Sequence, residues 1–282
     1  MQLYSINTGH FKLDGGAMFG VVPKTMWSKL VVPDENNMCT WAMRCLLVED
    51  GDRLMLIDNG IGTKQDAKFF SHYYLSGSDT LTNSLKEAGF SPSDITDVFL
   101  THLHFDHCGG SVNINSSGKA EMAFQNAIYW SNQNHWDWAT MPNPREKASF
   151  LKENILPIQE SGQLQMITDT NRPTISGLDI ITVNGHTEKQ MLPLLSYKEY
   201  QILFCADLFP SYAHLPLPFV MGYDTRPLLT MAEKQEVLER AINNPNFVLF
   251  YEHDAVNQCG TVKKNEKGGY LSDRVFNLSD LG

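Results

Sequence analysis

The sequence contains no uninterrupted apolar run of about 18 residues, the length a helix needs to cross a bilayer. Its opening residues, Met1-Gln2-Leu3-Tyr4-Ser5-Ile6-Asn7, have neither the basic start nor the apolar centre of a secretory signal. A soluble, cytoplasmic protein is therefore expected, with no membrane partner. Cysteine is scarce, with five residues (Cys39, Cys45, Cys108, Cys205, Cys259), odd in number, widely spaced and without a CxxC pair. That set excludes a disulfide framework and reads as buried thiols. Basic residues are also few, 22 against 32 acidic, for a formal charge of −10, which disfavours nucleic acid as a partner. No proline/serine-rich or charged linker interrupts the 282 residues, of which 42% are hydrophobic, so a single domain over 1–282 with a sizeable core is expected.

Histidine is concentrated where other features are sparse. Thr101-His-Leu-His-Phe-Asp-His-Cys-Gly-Gly110 places His102, His104, Asp106 and His107 within six residues. On an extended segment His102 and His104 point the same way, while Asp106 and His107 converge from the following turn. Gly109 and Gly110 are expected to let the backbone bend there. Imidazole and carboxylate together suit zinc or another divalent first-row ion. Three more donors, His186, Asp207 and His253, each follow a short apolar run that reads as a buried strand. Seven ligands fit two ions: His102, His104 and His186 on one, Asp106, His107 and His253 on the other, with Asp207 shared.

This pattern, His102-x-His104-x-Asp106-His107 followed by His186, Asp207 and His253, resembles the metallo-β-lactamase superfamily over nearly the whole chain. The segment Leu13-Asp-Gly-Gly-Ala-Met-Phe-Gly-Val-Val-Pro-Lys24 is similar to a subgroup of quorum-quenching N-acyl-homoserine lactone lactonases and related organophosphate hydrolases. The resemblance implies an α/β fold, a four-layer αβ/βα sandwich with two divalent ions, zinc by preference, at one edge. It also implies that Asp58 orients a ligand histidine.

Along the chain, strands are expected over 1–10, 38–48, 53–57, 95–100, 127–130, 164–167, 178–183, 191–195, 201–204 and 247–251. Helices are expected over 65–74, 79–88, 131–138 with Ser131 as cap, 145–156, and 228–242 with Thr230 as a candidate cap. His10, His72, His135 and His214 have no ligand-like spacing, and His214 has the best case for touching substrate because it shares the loop after Asp207 with Tyr212.

A hydroxide held by the ions would attack a carbonyl or phosphoryl centre, and Asp106 would pass a proton to the leaving alkoxide, so Asp106 and Asp207 are the catalytic candidates. Lactonases of the family often carry a tyrosine three positions after the bridging aspartate, whereas Pro210 stands there in this chain, with Tyr212 and Tyr223 nearby. Met18, Phe19, Phe69, Tyr73, Tyr212, His214 and Tyr223 are the expected substrate-binding residues, Phe69 and Tyr73 sharing a helix face. The first expectation is a lactonase for N-acyl-homoserine lactones and the second a phosphotriester or aryl ester hydrolase. A glyoxalase II-like thioesterase ranks third. The expected partner is a small molecule with an apolar chain, and a homodimer is left open.

Overall fold

Apolar runs rich in β-branched and aromatic residues form the strands that carry this mixed α/β fold. The computed structural model describes residues 1–282. Its strands are β1 (Gln2–Asp14), β2 (Met38–Asp50), β3 (Arg53–Ile57), β4 (Asp97–Phe99), β5 (Val112–Ile114), β6 (Ala120–Met122) and β7 (Ile128–Ser131), followed by β8 (Leu164–Met166), β9 (Leu178–Val183), β10 (Gln190–Tyr197), β11 (Tyr200–Phe204), β12 (Phe247–Phe250), β13 (Cys259–Lys264) and β14 (Tyr270–Phe276). The helices are α1 (Gly15–Phe19), α2 (Lys24–Trp27), α3 (Ala67–Ser71), α4 (Leu81–Glu87), α5 (Phe105–Cys108), α6 (Gln133–Thr140), α7 (Lys152–Glu160) and α8 (Pro227–Asn243). None is long and apolar enough to cross a membrane. The strands form two six-stranded sheets, ordered β1-β2-β3-β4-β7-β8 and β14-β13-β12-β11-β10-β9, and the small ribbon β5-β6.

The chain divides into two units. The first comprises Met1–Gly9, Met43–His72 and Ser76–Ser176, and the second His10–Ala42, Tyr73–Leu75 and Gly177–Gly282. In the first unit β3, β4, β7 and β8 run parallel, with Ile57 level with Phe99 and Phe99 level with Trp130. Leu47, Leu56, Val98, Tyr129, Trp136, Ile155 and Ile158 pack together as its core. In the second unit β9, β10 and β11 are antiparallel neighbours, β11 and β12 are parallel, and β13 and β14 close the sheet as an antiparallel pair. Strands β9, β11 and β12 therefore point the same way and release their chains at one edge.

Several element boundaries differ from expectation for identifiable reasons. Helix α6 is capped by Asn132, whose side chain accepts the His135 N–H, so Ser131 ends β7 instead. Helix α8 starts at Pro227 with Arg226 at its cap position, which places Thr230 inside the helix. The helix expected over 145–156 is replaced by α7, Lys152–Glu160, which runs through Pro157. Residues 145–146 instead donate both backbone N–H groups to the Asn143 side chain. Helix α3 ends at Ser71, so Phe69 and Tyr73 do not share a helix face.

Candidate metal centre

In the first unit the candidate donors follow β4. Because Ile57 and Phe99 end level in parallel strands, Asp58 emerges beside the loop at 100–107. Asp58 has φ 55, a left-handed conformation costly for a non-glycine residue. Its carboxylate accepts the Thr101 N–H at 2.8 Å, the Thr101 hydroxyl at 2.6 Å and His107 Nδ1 at 3.0 Å. Thr101 Oγ1 in turn lies 3.0 Å from His102 Nδ1. These bonds engage the Nδ1 side of both rings and turn their Nε2 atoms outward. His102 Nε2 faces His104 Nδ1 at 3.1 Å, the His102 and His107 rings are 3.9 Å apart, and His107 Nε2 is 3.8 Å from Asp106 Oδ2. All four residues are buried. His135, which had no ligand-like spacing, accepts the Leu103 N–H at 2.9 Å and so fixes the peptide between His102 and His104.

Gly109 and Gly110 act otherwise than as a sharp bend. Gly109 has an ordinary helical φ of −61, but a Cβ on it would lie 2.1 Å from the Ile61 carbonyl oxygen, and one on Gly110 2.2 Å from that of Asn59. Glycine is required there because the segment at 59–62 runs backbone against backbone with the metal loop.

In the second unit the parallel, in-register pairing of Phe204 with Phe250 places the chains leaving β11 and β12 side by side. Asp207 and His253 occupy equivalent places beyond those ends, and His186 follows β9. Asp207 directs its two oxygens at two different imidazoles, Oδ2 at His186 Nε2 (2.9 Å) and Oδ1 at His253 Nε2 (3.2 Å). Ala206, immediately before, has φ 40, a second left-handed non-glycine residue at a strand end. His186 Nδ1 is held at 2.9 Å by Asp224, and His253 Nδ1 donates to the Ala42 carbonyl at 2.8 Å.

This donor set fits a cation. With Nδ1–H committed to Ala42, His253 presents an Nε2 lone pair toward a carboxylate oxygen, an arrangement that needs positive charge between the two. His186 responds to the same demand. Burial works against its charge, but Asp207 and Asp224 outweigh burial and push its pKa up to about 10.

The residues expected to meet substrate are distributed as follows. Phe19 stacks between Trp27 (5.1 Å) and His214 (4.6 Å), and His214 Nε2 donates to the Met18 carbonyl at 2.9 Å. Ser211 occupies His214 Nδ1 at 2.9 Å, and burial pushes the ring down to about 3, so it is neutral. The Tyr212 hydroxyl donates to the Leu30 carbonyl, while Tyr223, beside Asp224, is 39% exposed. In the first unit Phe69 meets the Phe105 ring edge-on at 5.5 Å. Asp224 and Glu146, whose Oε1 lies 3.5 Å from His104 Nε2, were not anticipated. Neither sits at a motif spacing, and only the fold brings them to their histidines.

The family model for the metallo-beta-lactamase superfamily matches residues 44–253, a span that includes every donor named above. Among curated relatives, an N-acyl homoserine lactonase of Bacillus sp is 24% identical over 230 residues, covering 77% of this chain and 82% of that protein. One from Bacillus thuringiensis is 22% identical over 266 residues, covering 90% and 93%. Among solved structures, a probable metal-dependent hydrolase from Staphylococcus aureus superposes with a TM-score of 0.85 at 26% identity, covering 98% of each chain. A dizinc quorum-quenching lactonase in complex with a product superposes at 0.75 with 22% identity, covering 98% of this chain and 95% of that one. The match across both donor sets places this chain in the metallo-β-lactamase superfamily, as a metal-dependent hydrolase.

Proposed function

We propose that the chain opens the lactone ring of N-acyl-homoserine lactones, with two divalent ions, zinc by preference, held by His102, His104, Asp106 and His107 together with His186, Asp207 and His253. The observation that carries this reading is Asp207, each of whose oxygens addresses a different imidazole, as a bridging carboxylate must. The lactonase names of the curated relatives support the substrate class. When bound, such an ion pair supplies a hydroxide nucleophile at neutral pH and polarises the carbonyl. The chain's own part is orientation and proton transfer. Asp58, Asp224 and the Ala42 carbonyl hold three donor rings in single orientations. Asp106 would take up the proton of the added hydroxyl and pass it to the ring oxygen as the C–O bond breaks, leaving an N-acyl-homoserine with a free carboxylate and hydroxyl. The Tyr212 hydroxyl donates to the Leu30 carbonyl, and Tyr223, 39% exposed beside Asp224, is the tyrosine we assign to the substrate.

Aryl phosphotriester hydrolysis is the second reading, favoured by Pro210 in the position where the family resemblance implies that lactonases often carry a tyrosine. A paired assay separates the two. One arm measures kcat/KM for homoserine lactones of increasing acyl length, and the other measures an aryl phosphotriester under the same metal condition. A methylene contributes about 0.8 kcal/mol at full burial, so kcat/KM should rise several-fold per two-carbon step. A flat profile together with faster phosphotriester turnover moves the assignment to the second reading.

A further inference from the structure

Helix α8 carries a lysine inside the second unit. Lys234 is wholly buried (0% exposed), and its Nζ donates to the carbonyls of Pro216 at 2.9 Å, Phe219 at 3.0 Å and Leu217 at 3.4 Å. Nζ also lies 5.6 Å from the centre of the Phe209 ring. Burying an ammonium is costly. Burial pushes Lys234 down to about 7, with Asp224 pulling the other way. An apolar side chain would fill the same space without that cost, so the charge calls for a specific use.

The adjacent residue shows what the use is. Glu233 accepts the backbone N–H groups of Asn184 at 2.7 Å and Gly185 at 2.9 Å. Consecutive residues of one helix thus take opposite backbone polarities from two different loops. The anion holds the donors just before His186, and the cation holds the acceptors of the segment that runs from Asp207 to Asp224. Those loops meet at the imidazole of His186, 2.9 Å from Asp207 on one side and 2.9 Å from Asp224 on the other. The second loop is held by its own turns as well, such as Phe219 N–H to the Pro216 carbonyl and Asp224 N–H to that of Met221, while Lys234 gathers three of its carbonyls onto α8. The first is pinned closely against α8, since a Cβ on Gly185 would come 2.3 Å from Thr230 Oγ1.

We propose that Glu233 and Lys234 form a backbone clamp on α8 that sets His186 between Asp207 and Asp224, making both of them positioning residues for the metal centre. The role of His186 as a donor comes from the function proposed above. The clamp itself is a matter of loop order and is tested separately.

The test compares wild type with Lys234→Met, which keeps the stem and removes the charge, with Lys234→Gln, which keeps N–H donors, and with Glu233→Ala. Amide hydrogen exchange on metal-free protein reads the clamp directly. Faster exchange confined to residues 184–187 and 216–225 is expected in Lys234→Met and Glu233→Ala, with partial restoration in Lys234→Gln. Unchanged exchange in both loops overturns the clamp, as does a uniform rise throughout the second unit, which marks general destabilisation. Zinc competition with a chromophoric chelator reads the consequence. At least tenfold weaker binding is expected in Lys234→Met and Glu233→Ala, with kcat falling more than KM rises. Wild-type affinity in both variants refutes the positioning role. Absence of zinc binding by the wild-type protein sinks the donor assignment, while the exchange data still decide the clamp.

Discussion

Asp224 makes one short contact with His186, and its replacement tests how the site holds its metal. The carboxylate accepts from Nδ1 at 2.9 Å while Nε2 faces Asp207 at 2.9 Å, so Asp224 selects the orientation in which Nε2 is the donor. Asp224 is 3% exposed, so water does not readily replace it. Asp224→Asn keeps an acceptor oxygen in place and removes the charge. Asp224→Ala removes both and leaves a buried N–H without its acceptor. Loss of a partner that orients a metal-bound histidine typically weakens binding by about 10–100-fold, about 1.4–2.7 kcal/mol. The expected order of zinc affinity is therefore wild type, then Asn lower by about tenfold, then Ala lower by about a hundredfold. Chelator competition measures the affinities, and kcat/KM with a hexanoyl homoserine lactone should fall in the same order. Wild-type affinity in Asp224→Ala would refute the argument. An Asn variant as weak as Ala would show that charge, rather than ring orientation, is what Asp224 contributes.

Elemental analysis of protein purified without chelator should find about two ions per chain, and Asp207→Ala should lose the paired ions with most activity; saturation at one ion in wild type counts against a bridging carboxylate. In metal-free protein His186 is raised to about 10 by Asp207 and Asp224 against burial, so the folded chain keeps a proton that the unfolded chain releases above about pH 6.5. That stabilisation is complete below pH 6.5 and is lost as pH rises toward 10. The Tm advantage of metal-free wild type over His186→Asn should therefore shrink across this range, and an advantage that grows contradicts the assignment. Gly62 has φ +70, and a Cβ there would lie 2.4 Å from the Gly109 carbonyl oxygen, so Gly62→Ala should destabilise by about 2–4 kcal/mol in urea unfolding. A change under about 0.5 kcal/mol would show that the metal loop moves aside at little cost.

The candidate donors could be named from the sequence because their chemistry is local. His102, His104, Asp106 and His107 share one short segment, whereas the role of Asp58 was implied by the family resemblance and not by its place after a strand. The partners of those donors were not legible, because Asp224 reaches His186 from 38 residues away and Glu146 reaches His104 from a turn. Helix α7 was misplaced for a different reason. Pro157 reads as a stop, but the carbonyl it leaves unpaired belongs to Glu153, an exposed residue where water can take its place. Strands β13 and β14 escaped notice because Lys263, Lys264, Asp273 and Arg274 dilute the apolar pattern. Cross-strand pairing, rather than burial on either face, keeps much of β14 in the sheet.

A single geometric rule covers four of the seven candidate donors, the first to follow each of four strands. Strand β4 ends at Phe99 and its first donor is His102; β9 ends at Val183 and its donor is His186; β11 ends at Phe204 and its donor is Asp207; β12 ends at Phe250 and its donor is His253. Each of these four stands third beyond its strand, while His104, Asp106 and His107 follow His102 through the start of α5. Two intervening residues are enough to leave the ladder and turn, and too few to wander, so the position of each side chain is set by the register of its sheet. Register is the most tightly specified quantity in a sheet whose strands are buried, since a one-residue slip would turn every apolar side chain to the wrong face. The left-handed conformations of Asp58 and Ala206 follow from the same constraint, for each lies in the short exit from a strand and accepts strain where the chain must turn at once. The apolar runs that build the two cores are thus also what fix the donor spacing, and the chemistry depends on the strand ends being level.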